Sequence, residues 1–108
     1  MSINVAVIDL SINNIKSIVR SLEILNFKVI VVSKKFDVNE FDLIVLPGVG
    51  SFGEGANALK KNGLIESIKH AIKKEKKILG ICLGMQLLLS DSEEFGYTLG
   101  LDLIKGNV

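Results

Sequence analysis

Cysteine, proline and tryptophan are nearly absent from this sequence, which has one Cys, one Pro and no Trp in 108 residues. A single Cys cannot form an internal disulfide, so the chain is not a disulfide-stabilised scaffold and fits a reducing compartment. An excess of charge is lacking too, because 13 Lys and Arg oppose 12 Asp and Glu for a net charge of +1. This balance gives no reason to expect a nucleic-acid partner or an acidic tail.

Long apolar runs are also missing. None approaches the roughly 18 residues that a membrane-spanning helix requires. Met1 is not followed by the basic segment and apolar stretch of a signal peptide. We therefore expect no membrane partner and a cytoplasmic location. With 48% hydrophobic and 23% charged residues, the chain should fold as one domain or as part of one.

Apolar runs alternate along the chain with segments of helical periodicity. Helices are predicted over 15–25, where Asn13 or Asn14 could cap the start, and over 56–61, 64–72 and 83–89. Strands are predicted over 3–8, 28–32, 41–46 and 78–81, and a further strand over 101–104. Such strands separated by amphipathic helices predict an α/β fold, with an open, mostly parallel sheet and helices on both faces.

The single cysteine lies between a predicted strand and a predicted helix, in the segment Gly80-Ile81-Cys82-Leu83-Gly84. This G-x-C-x-G spacing is the thiol form of a nucleophile elbow, in which a tight turn presents the side chain to substrate. The start of the following helix favours the thiolate, and the Leu83 N–H would point to a developing oxyanion. The alternative is a structural cysteine buried on a core strand. The elbow spacing favours the nucleophile.

A glycine-rich loop follows the third predicted strand and allows three interpretations. Gly48, Gly50 and Gly53 fit the G-x-G-x-x-G dinucleotide fingerprint, but the next strand does not end in the acidic residue that would hold a ribose. The second interpretation is a loop whose backbone N–H groups contribute to an oxyanion hole beside the elbow. The third is an ordinary glycine turn.

Few other residues could support chemistry. His70 is the only histidine, and helical periodicity puts it on the solvent face, too far from Cys82 to act as its base. Gln86, one turn past Cys82, could bind a substrate head group or be an ordinary helix amide. Glu94 could equally be part of a charged loop. No Cys/His cluster is present, so we expect no metal site and no cofactor.

Four segments together resemble the class I, or triad, glutamine amidotransferases, and among these most of all the glutaminase subunit of imidazole glycerol phosphate synthase. The segments are Pro-Gly-Val-Gly-Ser-Phe-Gly at 47–53, Gly-Ile-Cys-Leu-Gly-Met-Gln-Leu-Leu at 80–88, Ser-Glu-Glu at 92–94 and Gly-Leu-Asp-Leu-Ile at 100–104. The resemblance runs through the whole chain but covers about the N-terminal half of the family's domain. It implies a flavodoxin-like class I amidotransferase core that is truncated, with residues 1–108 as the N-terminal part of a single domain.

The resemblance also implies roles for individual residues. Cys82 matches the nucleophile that attacks the glutamine amide and forms a γ-glutamyl thioester. The backbone of Val49, Gly50 and Leu83 matches the oxyanion hole. The side chains of Gln86 and Glu94 match positions that bind the head group of glutamine. Asn14 falls in the loop that faces the partner synthase. The family's histidine base and its glutamate have no counterpart in this chain.

The function implied is glutamine hydrolysis, with ammonia passed to a synthase subunit of the (β/α)8-barrel type in histidine biosynthesis. The segment 9–17 departs from the family pattern, because the Tyr and both loop glycines are replaced. An amidotransferase that serves surface-glycan sugar modification therefore stays an alternative. A non-catalytic fragment or regulatory module is a second alternative, because the chain lacks the triad's base.

Overall fold

The computed structural model describes residues 2–11 and 15–108. The strands are β1 (Asn4–Ile8), β2 (Lys28–Val32), β3 (Leu43–Gly48), β4 (Lys77–Cys82), β5 (Asp91–Ser92) and β6 (Thr98–Leu99). The helices are α1 (Lys16–Ile24), α2 (Phe52–Lys61), α3 (Leu64–Lys73) and α4 (Leu83–Leu87), and a single 3-10 turn covers Val38–Glu40.

Four parallel strands form the main sheet in the order β2-β1-β3-β4. Val7 of β1 is paired with Val31 on one side and with Val45 on the other. At the far end of the β3–β4 ladder, Gly48 is paired with Cys82. The predicted mostly parallel sheet is therefore confirmed, and its carboxyl edge carries both the glycine-rich loop and the cysteine.

Helices cover both faces of this sheet, as the alternating pattern predicts. One face packs against α2, α3 and α4, and its core includes Ile8, Ile44 and Leu46, all fully buried. The other face packs against α1, with Leu22 over Val5, Val7 and Val45. No helix in the described part of the chain is long and apolar enough to cross a membrane.

The third strand has the predicted length but lies two residues later than predicted, because it begins at Leu43 and runs through Pro47 and Gly48. The β1–β3 pairing ends at Val45, so Pro47 lies beyond the last residue that pairs with β1. A proline is tolerated there since no ladder hydrogen bond to β1 has to be made by its nitrogen.

The second helix begins four residues earlier than predicted, at Phe52. Ser51 caps this start, because Glu54 N–H donates to Ser51 Oγ and the Ser51 hydroxyl in turn donates to Glu54 Oε1. Two glycines within the helix weaken its periodic signal, but the cap sets its start. The caps predicted at Asn13 and Asn14 lie outside the described residues.

The strand predicted over 101–104 is wrong. Within the described residues, the backbone N–H groups of this segment donate to the carbonyl oxygens of Leu87, Leu88 and Leu89 at the end of α4 instead of pairing with a strand. The strands in this region are instead β5 and β6, which pair antiparallel as a short hairpin. Two-residue strands are too short to show the alternation by which strands are predicted.

Candidate active site

Cys82 ends β4, and α4 begins at the next residue. Its backbone has φ 55° and ψ −121°, a combination that residues with a side chain rarely adopt. Such a conformation costs on the order of 1–3 kcal/mol and persists only where the surroundings enforce it. The thiol-bearing residue is solvent-exposed. The structure thus makes the sharp strand-to-helix turn that the G-x-C-x-G spacing predicts.

The two glycines that flank Cys82 are required by close packing. A Cβ at Gly84 would overlap the carbonyl group of Leu46 in β3. A Cβ at Gly80 would lie 2.7 Å from Cα of Met85 in α4. Both obstacles are backbone atoms, so neither can move aside by rotating a side chain. The glycines therefore let α4 fold back tightly on β3 and β4, and this packing holds the turn at Cys82.

The glycine-rich loop lies beside the cysteine. Because Gly48 pairs with Cys82, the loop leaves the sheet next to the elbow. Gly48, Val49 and Cys82 line one cavity of about 170 Å³, together with Pro47, Ile81 and the α1 residues Ser17 and Ile18. Gly50 has φ +108°, which favours glycine, and Val49 is exposed. The structure thus brings Gly48 and Val49 next to Cys82, and Gly50 follows them in the loop.

Leu83 is the first residue of α4 and directly follows Cys82, the candidate nucleophile. Its side chain is buried in the core, and its Cβ lies 3.2 Å from the place that a Cβ on Gly48 would occupy. The Leu83 side chain therefore packs against the start of the glycine-rich loop. Backbone N–H groups at the start of a helix are the type of donor from which oxyanion holes are built.

Glu94 lies at the start of α2 although it is 42 residues away from it in sequence. One oxygen of its carboxylate accepts a hydrogen bond of 3.1 Å from the Phe52 backbone N–H. The Glu94 backbone N–H in turn donates to Ser92 Oγ over 2.9 Å. The sequence indicated Glu94 but not Ser92, and no sequence signal connected either residue with Phe52.

The other residues singled out in the sequence are Gln86, His70 and Asn14, and the structure describes the first two. Gln86 is half-buried in α4, and its side chain makes no hydrogen bond to the part of the chain that is described. His70 is exposed on α3, as predicted, and does not line the cavity next to Cys82. Asn14 lies outside the described residues. Across 2–11 and 15–108, no group of three or more His, Cys, Asp or Glu side chains could hold a metal ion.

Comparison with known proteins gives a consistent result. The family model for class-I glutamine amidotransferases matches residues 6–102. The imidazole glycerol phosphate synthase subunit HisH of Aquifex aeolicus is 44% identical over 103 residues, covering 94% of this chain and 50% of the relative. The same subunit of Chlorobaculum tepidum is 39% identical over 104 residues, covering 96% of this chain and 52% of the relative.

A solved structure described as a glutamine amidotransferase superimposes with a TM-score of 0.79 at 16% identity. The match covers 95% of this chain and 54% of that one, and at this identity it shows the fold alone. The chain spans about half the length of the curated relatives that it matches.

Proposed function

The chain belongs to the class-I glutamine amidotransferase family, and from this we propose that it carries the nucleophile of a glutaminase that converts glutamine to glutamate and ammonia. The observation that carries the proposal is the strained, exposed Cys82 beside Gly48 and Val49 at the start of the glycine-rich loop. In this proposal, residues 1–108 are the N-terminal part of a single amidotransferase domain. The twofold greater length of the relatives supports that division.

The proposed reaction starts at the sulfur of Cys82. Its thiolate attacks the side-chain amide carbon of glutamine, and negative charge develops on the carbonyl oxygen. Backbone N–H groups of Gly50 and Leu83 would stabilise that charge. The C–N bond then breaks as the nitrogen takes up a proton and leaves as ammonia. Water cleaves the resulting γ-glutamyl thioester, which releases glutamate and regenerates the thiol.

A base must accept and return protons in these steps, and His70 is turned to solvent on α3. We assign the base to the histidine that the resemblance implies in the second half of the domain. Gln86 and Glu94 are proposed to bind the amino-acid end of glutamine. The position of Gln86, one turn after the nucleophile, supports its assignment.

The ammonia is proposed to pass to a synthase subunit, in a heterodimer that acts in cytoplasmic histidine biosynthesis. The name of these relatives, imidazole glycerol phosphate synthase subunit, supports this partner. We further propose that the partner is a (β/α)8 barrel and that Asn14 lies in the interface with it. The altered segment 9–17 favours a second candidate, a synthase that modifies surface-glycan sugars with the same ammonia.

The test compares two nitrogen sources in the full-length protein bound to its synthase. Cys82→Ser should abolish product formation from glutamine and leave product formation from ammonium salts near the wild-type rate. A serine hydroxyl ionises far less readily than a thiol, while ammonia from solution bypasses the lost step. His70→Ala is the control and should support both reactions. Near-normal synthesis from glutamine by Cys82→Ser would rule out Cys82 as the nucleophile, and a non-catalytic module would show no difference between the nitrogen sources.

A further inference from the structure

The hairpin formed by β5 and β6 is joined to the first turn of α2 by two consecutive hydrogen bonds. We call the group that makes them the Glu94 clasp; it consists of Ser92, Glu94 and the Phe52 backbone. Glu94 Oε1 accepts from Phe52 N–H at 3.1 Å, and Ser92 Oγ accepts from Glu94 N–H at 2.9 Å. Ser92 and Phe52 are both fully buried. The clasp therefore has a buried residue at each end and an exposed carboxylate between them.

The same hairpin packs against this turn at two further points. A Cβ at Gly53 would be in ordinary contact with Thr98 Oγ1, at 3.8 Å. A Cβ at Gly100, just after β6, would lie 2.9 Å from the ring of Phe52. The hairpin thus fixes the start of α2 by packing as well as by the clasp.

The glycine-rich loop is consequently held from both ends. At one end, Gly48 is fixed by its pairing with Cys82 in the sheet. At the other end, Phe52 is fixed by the Glu94 clasp. Only Val49, Gly50 and Ser51 lie between these points. A shift of Phe52 must therefore be transmitted to the backbone that borders the thiol.

We propose that Glu94 is a positioning residue for the oxyanion loop, in addition to any contact with glutamine; this role rests on the proposed function. A hydrogen bond that a carboxylate accepts is stronger than one between neutral groups, and negative charge is favoured at a helix N-terminus. The clasp occupies one carboxylate oxygen. The other oxygen makes no hydrogen bond to the described residues and is left for a substrate ammonium.

The two roles predict different kinetics. Loss of a contact with glutamine that is equally strong in ground state and transition state raises KM. Misplacement of oxyanion donors lowers kcat, because those donors act fully only in the transition state. Glu94→Ala removes both functions, whereas Glu94→Gln removes the charge but keeps a side-chain oxygen that can accept from Phe52 N–H. Glu93→Gln is the matched control, because it removes an adjacent exposed carboxylate outside the clasp.

The experiment measures hydrogen exchange and glutaminase kinetics in the full-length protein with its synthase. In Glu94→Ala, we expect amide exchange over residues 49–55 to accelerate about tenfold or more relative to α3, and kcat to fall at least about tenfold. Glu94→Gln should restore most of the protection and most of kcat while KM stays raised. Glu93→Gln should match the wild type in all three measurements.

Three results would overturn the proposal. Unchanged exchange over 49–55 in Glu94→Ala would mean that the clasp does not hold the loop. Equal acceleration in α3 would mean that Glu94 supports overall stability rather than this loop. Equal kcat for Glu94→Gln and Glu94→Ala would mean that the hydrogen bond to Phe52 N–H does not contribute to catalysis and that only the charge of Glu94 does. Exchange does not require turnover, so it tests the clasp even if the Cys82→Ser experiment refutes the glutaminase.

Discussion

Gly84→Ala should disrupt the turn at Cys82 by a single methyl group. The added Cβ would lie 2.6 Å from the Leu46 carbonyl carbon and closer still to its oxygen. Leu46 is fully buried in β3, so the strand cannot move without disturbing the sheet. Overpacking of this kind costs roughly 1–3 kcal/mol or more, and the gain in helix propensity from Gly to Ala returns at most about 1 kcal/mol. Because the overlap is with backbone atoms, the cost should reach about 3 kcal/mol, and we expect a net loss of about 2 kcal/mol.

The matched control is Gly53→Ala in the first turn of α2. Its Cβ would meet only Thr98 Oγ1, at the ordinary distance of 3.8 Å. Helix propensity then dominates, and the change should be neutral or stabilising by up to about 1 kcal/mol. Opposite signs are therefore expected for the same chemical change at two helical glycines.

Thermal unfolding of the full-length protein measures the difference. At about 2–4 °C per kcal/mol for a chain of 150–250 residues, Gly84→Ala should lower Tm by at least about 4 °C. It should also slow alkylation of Cys82 by a glutamine-like electrophile, because the thiol would no longer be presented by the turn. A Gly84→Ala protein with wild-type Tm and labelling rate would refute the packing argument.

Two further predictions concern residues outside the elbow. The 108-residue chain alone should release no glutamate from glutamine, because His70 is exposed on α3; turnover that disappears in His70→Ala would refute this assignment. The pKa of Tyr97 should lie above its ordinary value of 10.0, because the phenol donates to Asp91 over 2.8 Å and nearby carboxylates oppose its ionisation. The stabilisation from this bond is therefore present below pH 10 and lost as pH rises through the folded-state pKa. Asp91→Asn should lower the midpoint of phenolate absorbance, measured as a difference from Tyr97→Phe; an unchanged midpoint would refute the bond.

The sheet could be predicted from the sequence because its strands appear as apolar, β-branched runs, both in the buried central strands β1 and β3 and in the more exposed outer strands β2 and β4. Residues 28–32 were predicted as a strand with the bounds that the structure gives to β2. The hairpin could not be predicted, because its two-residue strands carry no periodicity. The start of α2 could have been predicted from Ser51 and Glu54, whose spacing is that of a capping box.

The candidate site also has one part that the sequence predicts and one part that it does not. The elbow is a local feature, set by a strand, a helix and two glycines within five residues, so its spacing predicts it. The contact of Glu94 with Phe52 joins residues that are 42 positions apart. It depends on how the hairpin packs on α2, which residue type and spacing do not specify. The elbow at Cys82 was therefore predictable from the sequence, whereas the contact of Glu94 with Phe52 was not.

Tight contacts around Cys82 keep its backbone in an unfavourable conformation. A conformation that costs about 1–3 kcal/mol relaxes unless neighbouring groups block every alternative. Here Gly80 lets the strand approach α4, Gly84 lets α4 approach Leu46, and pairing of Cys82 with Gly48 fixes the strand end. The same pairing fixes the start of the glycine-rich loop. The contacts that hold the thiol in its strained turn therefore also place the backbone donors next to it, so a substitution that relaxes the turn should displace both together.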